Sequence, residues 1–356
     1  MKRTTIALAL GTTLLSLSAA LIRARTAHAC TRAVYLGPED TIITARSMDW
    51  QSDLGSNLWA FPRGIQRDGA AGPKSIRWTS KYGSVVSTAF EGGTADGMNE
   101  NGLVANLLYL AESEYVTPSR NDKRLPLAVS VWTQYVLDNY GTVADAVSNL
   151  REEPFYVVPM MTPDGKPGAL HLAVSDATGD SAIFEYVGGK LVIHHGRQYQ
   201  VMTNSPIYDQ QLALNNYWEQ IGGTTMLPGT NRAADRFVRA SFYINAVPKT
   251  ANNSEAIASA FSVIRNVSVP LGISTPGQPN ISSTIWRTVS DHKNKRYFFE
   301  STRSPSVFWV NLADMDFAAG KPTKKLTLTE GAVFAGNTAA AFQPAEPFKF
   351  LSAEVK

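Results

Sequence analysis

Two hydrophobic rhythms run along this chain. Near both ends, short runs rich in β-branched and aromatic residues alternate with turn-forming clusters, which predicts strands. In the middle, apolar residues recur at helical spacing. Residues 33–36 and 41–46 read as two strands joined by Gly37-Pro38-Glu39-Asp40, a hairpin. Further strands are predicted at 57–62, 75–79, 84–90 and 103–109. Residues 94–102, with Asp96-Gly97 and Asn101-Gly102, read as turn-rich. A helix is predicted over 127–139, ended by Gly141, and a second from Thr142 to about residue 150, with Asp145 at its start. Strands return at 171–174, 182–186, 190–194 and 199–202, before Thr203-Asn204-Ser205-Pro206. Helices over 231–245 and 254–264 follow, then strands at 283–290, 296–301 and 307–312. This order predicts antiparallel sheets packed against helices, not an alternating βαβ chain.

The first 29 residues follow another pattern. Lys2 and Arg3 precede residues 5–22, which are almost wholly apolar or small. Arg23 and Arg25 interrupt, and Ala27-His28-Ala29 then places small residues at the two positions a signal peptidase reads. Residues 1–29 are expected to be a cleaved signal peptide, with residues 30–356 forming a single domain that is periplasmic or secreted. The apolar run is long enough for an uncleaved anchor, but the Ala-x-Ala site directly follows it.

Cleavage changes the charge. Removing residues 1–29 takes Lys+Arg from 33 to 29 against 30 Asp+Glu, and the formal charge from +3 to −1. The basic balance belongs to the leader, so no nucleic-acid partner and no stable membrane association are expected. The five histidines, His28, His171, His194, His195 and His292, form no metal-binding spacing, and Cys30 is the only cysteine. His194 and His195 adjoin at a strand end and point to opposite faces, as structural or surface residues. No phosphate-binding or dinucleotide fingerprint is present, so no metal or organic cofactor is expected.

Cutting after Ala29 would leave Cys30 with a thiol and a free α-amine, a nucleophile and a base within one residue. An incidental thiol is one alternative. A lipid-anchored binding protein acylated on Cys30 is another; against it, Ala27 stands where lipoprotein signals usually carry Leu, and Thr31-Arg32 enter a strand with no tether. The hairpin returns the chain so that Arg46 and Asp49, at the end of its second strand, come within reach of Cys30. Taken singly, Arg46 and Asp49 suit a surface ion pair, Asn204 suits a turn, and Arg236 with Arg239 suits a solvated helix face.

Five stretches change that balance: Cys30-Thr31; Arg46-Ser47-Met48-Asp49; Ala95-Asp96-Gly97-Met98-Asn99-Glu100 with Gly102-Leu103; Thr203-Asn204-Ser205-Pro206; and Ala234-Asp235-Arg236-Phe237-Val238-Arg239 after Leu227-Pro228-Gly229. In order and spacing the chain resembles the choloylglycine hydrolase and penicillin V acylase family of N-terminal nucleophile amidases. The resemblance spans nearly all of residues 30–356. It implies an α+β fold, a four-layer αββα sandwich of two antiparallel sheets between helical layers, assembled as a homotetramer. It also implies a cysteine amidase that attacks a linear carbon–nitrogen amide and passes through a thioester on Cys30. In the matched roles, Arg46 and Arg236 favour the thiolate, Asp49 orients the amine, and Asn204 with the Tyr109 backbone N–H stabilises the oxyanion.

Tyr109 lies where bile salt hydrolases usually carry Asn and penicillin V acylases often carry Tyr. An aromatic ring there favours a flat, apolar acyl group such as phenoxyacetyl, so penicillin V is the expected small-molecule substrate. Trp50 and Trp59 are further candidates for the acyl pocket. The family's exported branch also includes N-acyl homoserine lactone acylases, which makes quorum-signal amides the alternative substrate.

Overall fold

A computed structural model describes residues 30–273, 282–304, 306–328 and 332–353. The expected signal peptide, residues 1–29, lies outside them. Two large sheets face each other. In the first, Val201–Met202, Thr31–Leu36, Ile42–Trp50, Ser283–Asp291, Arg296–Ser301 and Val307–Asn311 lie side by side antiparallel, and Gly336–Asn337 adds a parallel edge. The second has nine antiparallel strands in the order Lys190–His195, Ser181–Val187, Leu170–Ser175, Val104–Tyr109, Gly93–Asn99, Ser84–Ala89, Leu58–Phe61, Lys324–Leu326 and Gln343–Pro344.

Helices cover both outer faces. α1 (Val129–Asn139) and α2 (Val143–Arg151) pack on the nine-stranded sheet. Of α3 (Tyr208–Ile221), α4 (Ala233–Ala246) and α5 (Asn253–Asn266), α4 and α5 pack on the seven-stranded sheet and α3 lies against α4. The layers are therefore helix, sheet, sheet, helix. The expected start of α2 is present, with the Thr142 side chain accepting from the Asp145 N–H.

Three local expectations need correction. The segment at 94–102 is not mainly turn: Gly93–Asn99 is a fully buried strand, and only the residues after it turn. Gly97 is there for space, because a Cβ would meet Val86 Cγ1 at 2.7 Å and the Val85 carbonyl at 2.8 Å. The start of the predicted 127–139 helix is instead the strand Leu125–Ala128, paired in parallel with Phe155–Val158. α3 was not predicted at all. It carries Gln, Asn, Asp and Glu around most of its circumference and fully buries only Tyr208, Gln211 and Asn215, so its apolar stripe is too thin to read.

Strand alternation separates two tryptophans expected in one pocket. Leu58 and Ala60 belong to the cluster that includes Cys30, whereas Trp59 and Phe61 point into the layer against α1. Trp59 lies over Phe61 (ring centroids 6.1 Å apart, planes within 8°) and meets Phe348 edge-on.

Candidate active site

The hairpin is in register Thr31↔Ser47 and Arg32↔Arg46, which carries Met48 and Asp49 alongside Cys30. Glu39 and Asp40 make its turn with positive φ (52° and 56°). Cys30 Sγ lies 3.8 Å from Met48 Sδ and 3.8 Å from the Asp49 carbonyl oxygen. On the other side of Thr31–Leu36, the edge strand Val201–Met202 pairs Met202 with Arg32, so the chain beyond it delivers Asn204 to Cys30. The Cys30 N–H donates to Asn204 Oδ1 (2.5 Å).

α4 packs across Thr31–Leu36 and sends Arg236 into the same corner. Its Nη1 donates to the Cys30 carbonyl (2.7 Å) and its Nη2 to Asn204 Oδ1 (2.9 Å). Arg236 is fully buried. Arg239, one turn on, leaves this corner and donates to the Pro228 and Thr230 carbonyls. The Asn204 side chain therefore has its oxygen held by two donors. Its NH2 gives one hydrogen to the Tyr109 carbonyl (2.7 Å) and carries a second.

Arg46 is placed differently from the simple expectation of a guanidinium beside the thiol. It reaches across to the nine-stranded sheet and donates to the carbonyls of Ala95 (3.1 Å) and Leu107 (2.9 Å). Its Nη1 lies 3.6 Å from Asp96 Oδ2, and its guanidinium lies over the Trp286 ring at 4.7 Å. Its Nη2 is 3.4 Å from Met48 Sδ, so a thioether stands between Arg46 and the thiol. Asp96 also accepts from Tyr297 and Asn106, which makes it the buried counter-charge of Arg46, not a turn former.

Asp49 Oδ1 accepts from the Thr284 hydroxyl (2.6 Å). Its Oδ2 has no hydrogen-bond partner among the described residues and lies 3.9 Å from Arg236 Nη1. Burial outweighs the pull of Arg236 and Thr284, and pushes the Asp49 carboxyl up to about 6. Burial likewise pushes the Cys30 thiol up, against the opposing charge of Arg46.

This has a measurable consequence. The folded chain binds the Asp49 proton more tightly than the unfolded chain, so the carboxylate costs stability as pH rises from about 4 through 6 and at every pH above. Asp49→Asn is therefore expected to stabilise the uncleaved chain at pH 7 by about 2–3 kcal/mol. Urea unfolding checks this, with the gain vanishing by pH 4. A free ammonium at Cys30 would draw the carboxyl back down and shrink the gain in the processed protein.

A cavity of about 70 Å³ opens on Cys30, walled by Met48, Trp50, Leu54, Phe90, Tyr109 and Met160 among others. Trp50 meets Phe90 and Tyr109 edge-on, each at 6.2 Å. Asp164 accepts from Trp50 Nε1 (2.9 Å) and holds that ring. Thus Cys30, Arg46, Asp49, Asn204 and Arg236 converge on one corner, and Trp50 and Tyr109 line its cavity. Trp59 does not: it packs on the far face of the nine-stranded sheet. His195 pairs with Asp180 (2.7 Å) and His194 packs against Tyr199 and Tyr208, away from the corner.

Thr284, Leu54, Phe90 and Met160 were invisible from sequence. Thr284 reaches Asp49 only because Ser283–Asp291 pairs with Ile42–Trp50 in the register Thr284↔Asp49. Met48 lies between Arg46 and Asp49 in the sequence with no role readable there. No group of three or more His, Cys, Asp or Glu among the described residues is disposed to hold a metal ion, and none of their helices is long and apolar enough to cross a membrane.

The family described as linear amide C–N hydrolases, choloylglycine hydrolase family, matches residues 30–325. A penicillin V acylase of Pectobacterium atrosepticum is 52% identical, over 94% of this chain and 96% of that protein. A bile salt hydrolase/transferase of Clostridium perfringens is 28% identical, over 64% of this chain and 75% of that protein. The solved penicillin V acylase from Agrobacterium tumefaciens superposes with a TM-score of 0.84 at 58% identity, covering 91% of this chain and 100% of that one.

Proposed function

The chain belongs to the choloylglycine hydrolase family of linear amide C–N hydrolases, and we propose that within it the protein hydrolyses penicillin V to 6-aminopenicillanic acid and phenoxyacetate. Cleavage after Ala29 converts the Cys30 amide nitrogen into an amine with an ordinary pKa of about 7.7–8.0, able to hold or release a proton near neutrality. The amine takes the thiol proton, with Arg46 and Arg236 favouring the thiolate and Asp49 anchoring the resulting ammonium. Sulfur adds to the amide carbonyl. The second N–H of Asn204 meets the oxyanion. Collapse breaks the C–N bond, the ammonium gives its proton to the leaving amine, and an acyl thioester remains on Cys30. Water, deprotonated by the same amine, hydrolyses it. The reading extends to an exported, homotetrameric enzyme, from residues 1–29 and from the family resemblance respectively.

The observation that carries the substrate is the aromatic wall beside the nucleophile. Trp50 and Tyr109, edge-on to one another, both line the cavity that opens on Cys30, and aromatic lining suits a flat phenoxy ring. The cavity of about 70 Å³ is below the roughly 150 Å³ that holds benzene, so a phenoxy ring has to extend through its open side or move a wall side chain. The test is kcat/KM on penicillin V against N-dodecanoyl homoserine lactone. Penicillin V is expected to win by about tenfold or more, the worth of roughly 1.4 kcal/mol in fit. A reversed ratio transfers the protein to the quorum-signal amides. Quenched-flow mass spectrometry of the processed enzyme is expected to find phenoxyacetyl on Cys30.

A further inference from the structure

We propose that His171 and Glu185 form a buried imidazolium–carboxylate pair that positions Asn204; the inference rests on reading Asn204 as the oxyanion donor. His171 lies on Leu170–Ser175 and Glu185 on the neighbouring Ser181–Val187, in the register that pairs Leu172 with Phe184. Both side chains are buried. His171 Nε2 lies 2.8 Å from the Thr203 carbonyl oxygen, and Nδ1 lies 2.8 Å from Glu185 Oε1. A carbonyl oxygen only accepts, so Nε2 carries a hydrogen. A neutral ring would then turn its Nδ1 lone pair toward a carboxylate oxygen. The second Glu185 oxygen already accepts the N–H of Tyr208 (2.9 Å), at the start of α3. One proton between Nδ1 and Oε1 resolves the conflict and leaves the buried pair with no net charge; we place it on the ring because imidazole is the stronger base of the two.

The pair ties the two sheets together at one point. His171 and Glu185 belong to the nine-stranded sheet, and Thr203 follows the edge strand Val201–Met202 of the other. Gln211 of α3 completes the clamp: its Oε1 accepts the Thr203 hydroxyl (2.7 Å), and its Nε2 donates to the Asn204 and Pro206 carbonyls (2.5 Å each). The backbone on both sides of Asn204 is thereby held from behind, while its side chain faces Cys30. Displacement of a catalytic group by about 1 Å costs on the order of 10²-fold in rate, so this support is kinetic as well as structural.

The test combines spectroscopy with kinetics on the processed enzyme. In ¹⁵N-histidine-labelled protein at neutral pH, His171 is expected to show two protonated ring nitrogens, and both signals vanish in His171→Phe. That variant is expected to lose about 10–100-fold in kcat with KM little changed. Glu185→Gln, whose amide can donate to Nδ1 of a neutral imidazole that keeps its Nε2–H on Thr203, is expected to retain most of the wild-type rate. His171→Phe/Asn204→Ala is expected to be no slower than Asn204→Ala alone. A single protonated ring nitrogen on His171 in the wild type overturns the pair. Full kcat in folded His171→Phe, with Asn204→Ala inactive, overturns the positioning role. An active Asn204→Ala removes the oxyanion reading on which the inference stands.

Discussion

Replacing Cys30 by alanine is expected to abolish amide hydrolysis, lowering kcat by about 10⁴-fold or more, as loss of a nucleophile does where no second one can act. No other cysteine is present in the sequence. Cys30→Ser is expected to fall by at least about 10²-fold, because a hydroxyl offers far less anion than a thiol at neutral pH. The thiol is raised by burial and by the Asp49 charge, and the Arg46 and Arg236 charges with a backbone hydrogen bond at Asp49 oppose this to favour the anion. Steady-state kinetics on correctly processed variants, with thermal unfolding to show an intact fold, checks the expectation. Near-full activity in Cys30→Ser would place the nucleophile elsewhere.

The second large effect concerns nitrogen. A protein that retains Ala29 ahead of Cys30 is expected to lose about 10²–10⁴-fold in kcat, the usual worth of a positioned general acid–base. As an amide, the Cys30 nitrogen has one hydrogen, already given to Asn204 Oδ1, and no lone pair to accept the thiol proton. As an amine it gains both an available lone pair and, when protonated, a positive charge beside the Asp49 and Cys30 groups that burial raises. N-terminal sequencing paired with kcat for the two forms decides it. Equal rates would mean that another group takes the proton.

Much of the site could be read along the chain because its parts are local. The hairpin needs only a turn and two β-branched runs, and its register then sets Arg46, Met48 and Asp49 near Cys30. The spacing to Asn204 and Arg236 was readable only as a resemblance, since those residues reach Cys30 through strand pairing and helix packing more than 170 residues away. Asp96-Gly97 shows where local signals mislead. Asp and Gly favour turns in isolation, yet here one is the buried counter-ion of Arg46 and the other makes room for neighbouring strands and α1. Trp59 shows the same limit: Trp50, nearby in sequence, lies in the seven-stranded sheet and lines the cavity, while Trp59 takes the outer face of the nine-stranded sheet.

By itself, the sequence determined most of the order of strands and helices, though not α3 or the strands Gly93–Asn99 and Leu125–Ala128, together with the chemistry available at Cys30 and the family to which its spacings point. These depend on residue type and short-range periodicity. Only the tertiary structure decided which carbonyls Arg46 holds, that a thioether separates it from the thiol, that Thr284 and His171 support the site, and which rings wall the cavity. Those facts follow from the register between strands distant in sequence and from the face each side chain takes, and a shift of one residue would reverse every one of them.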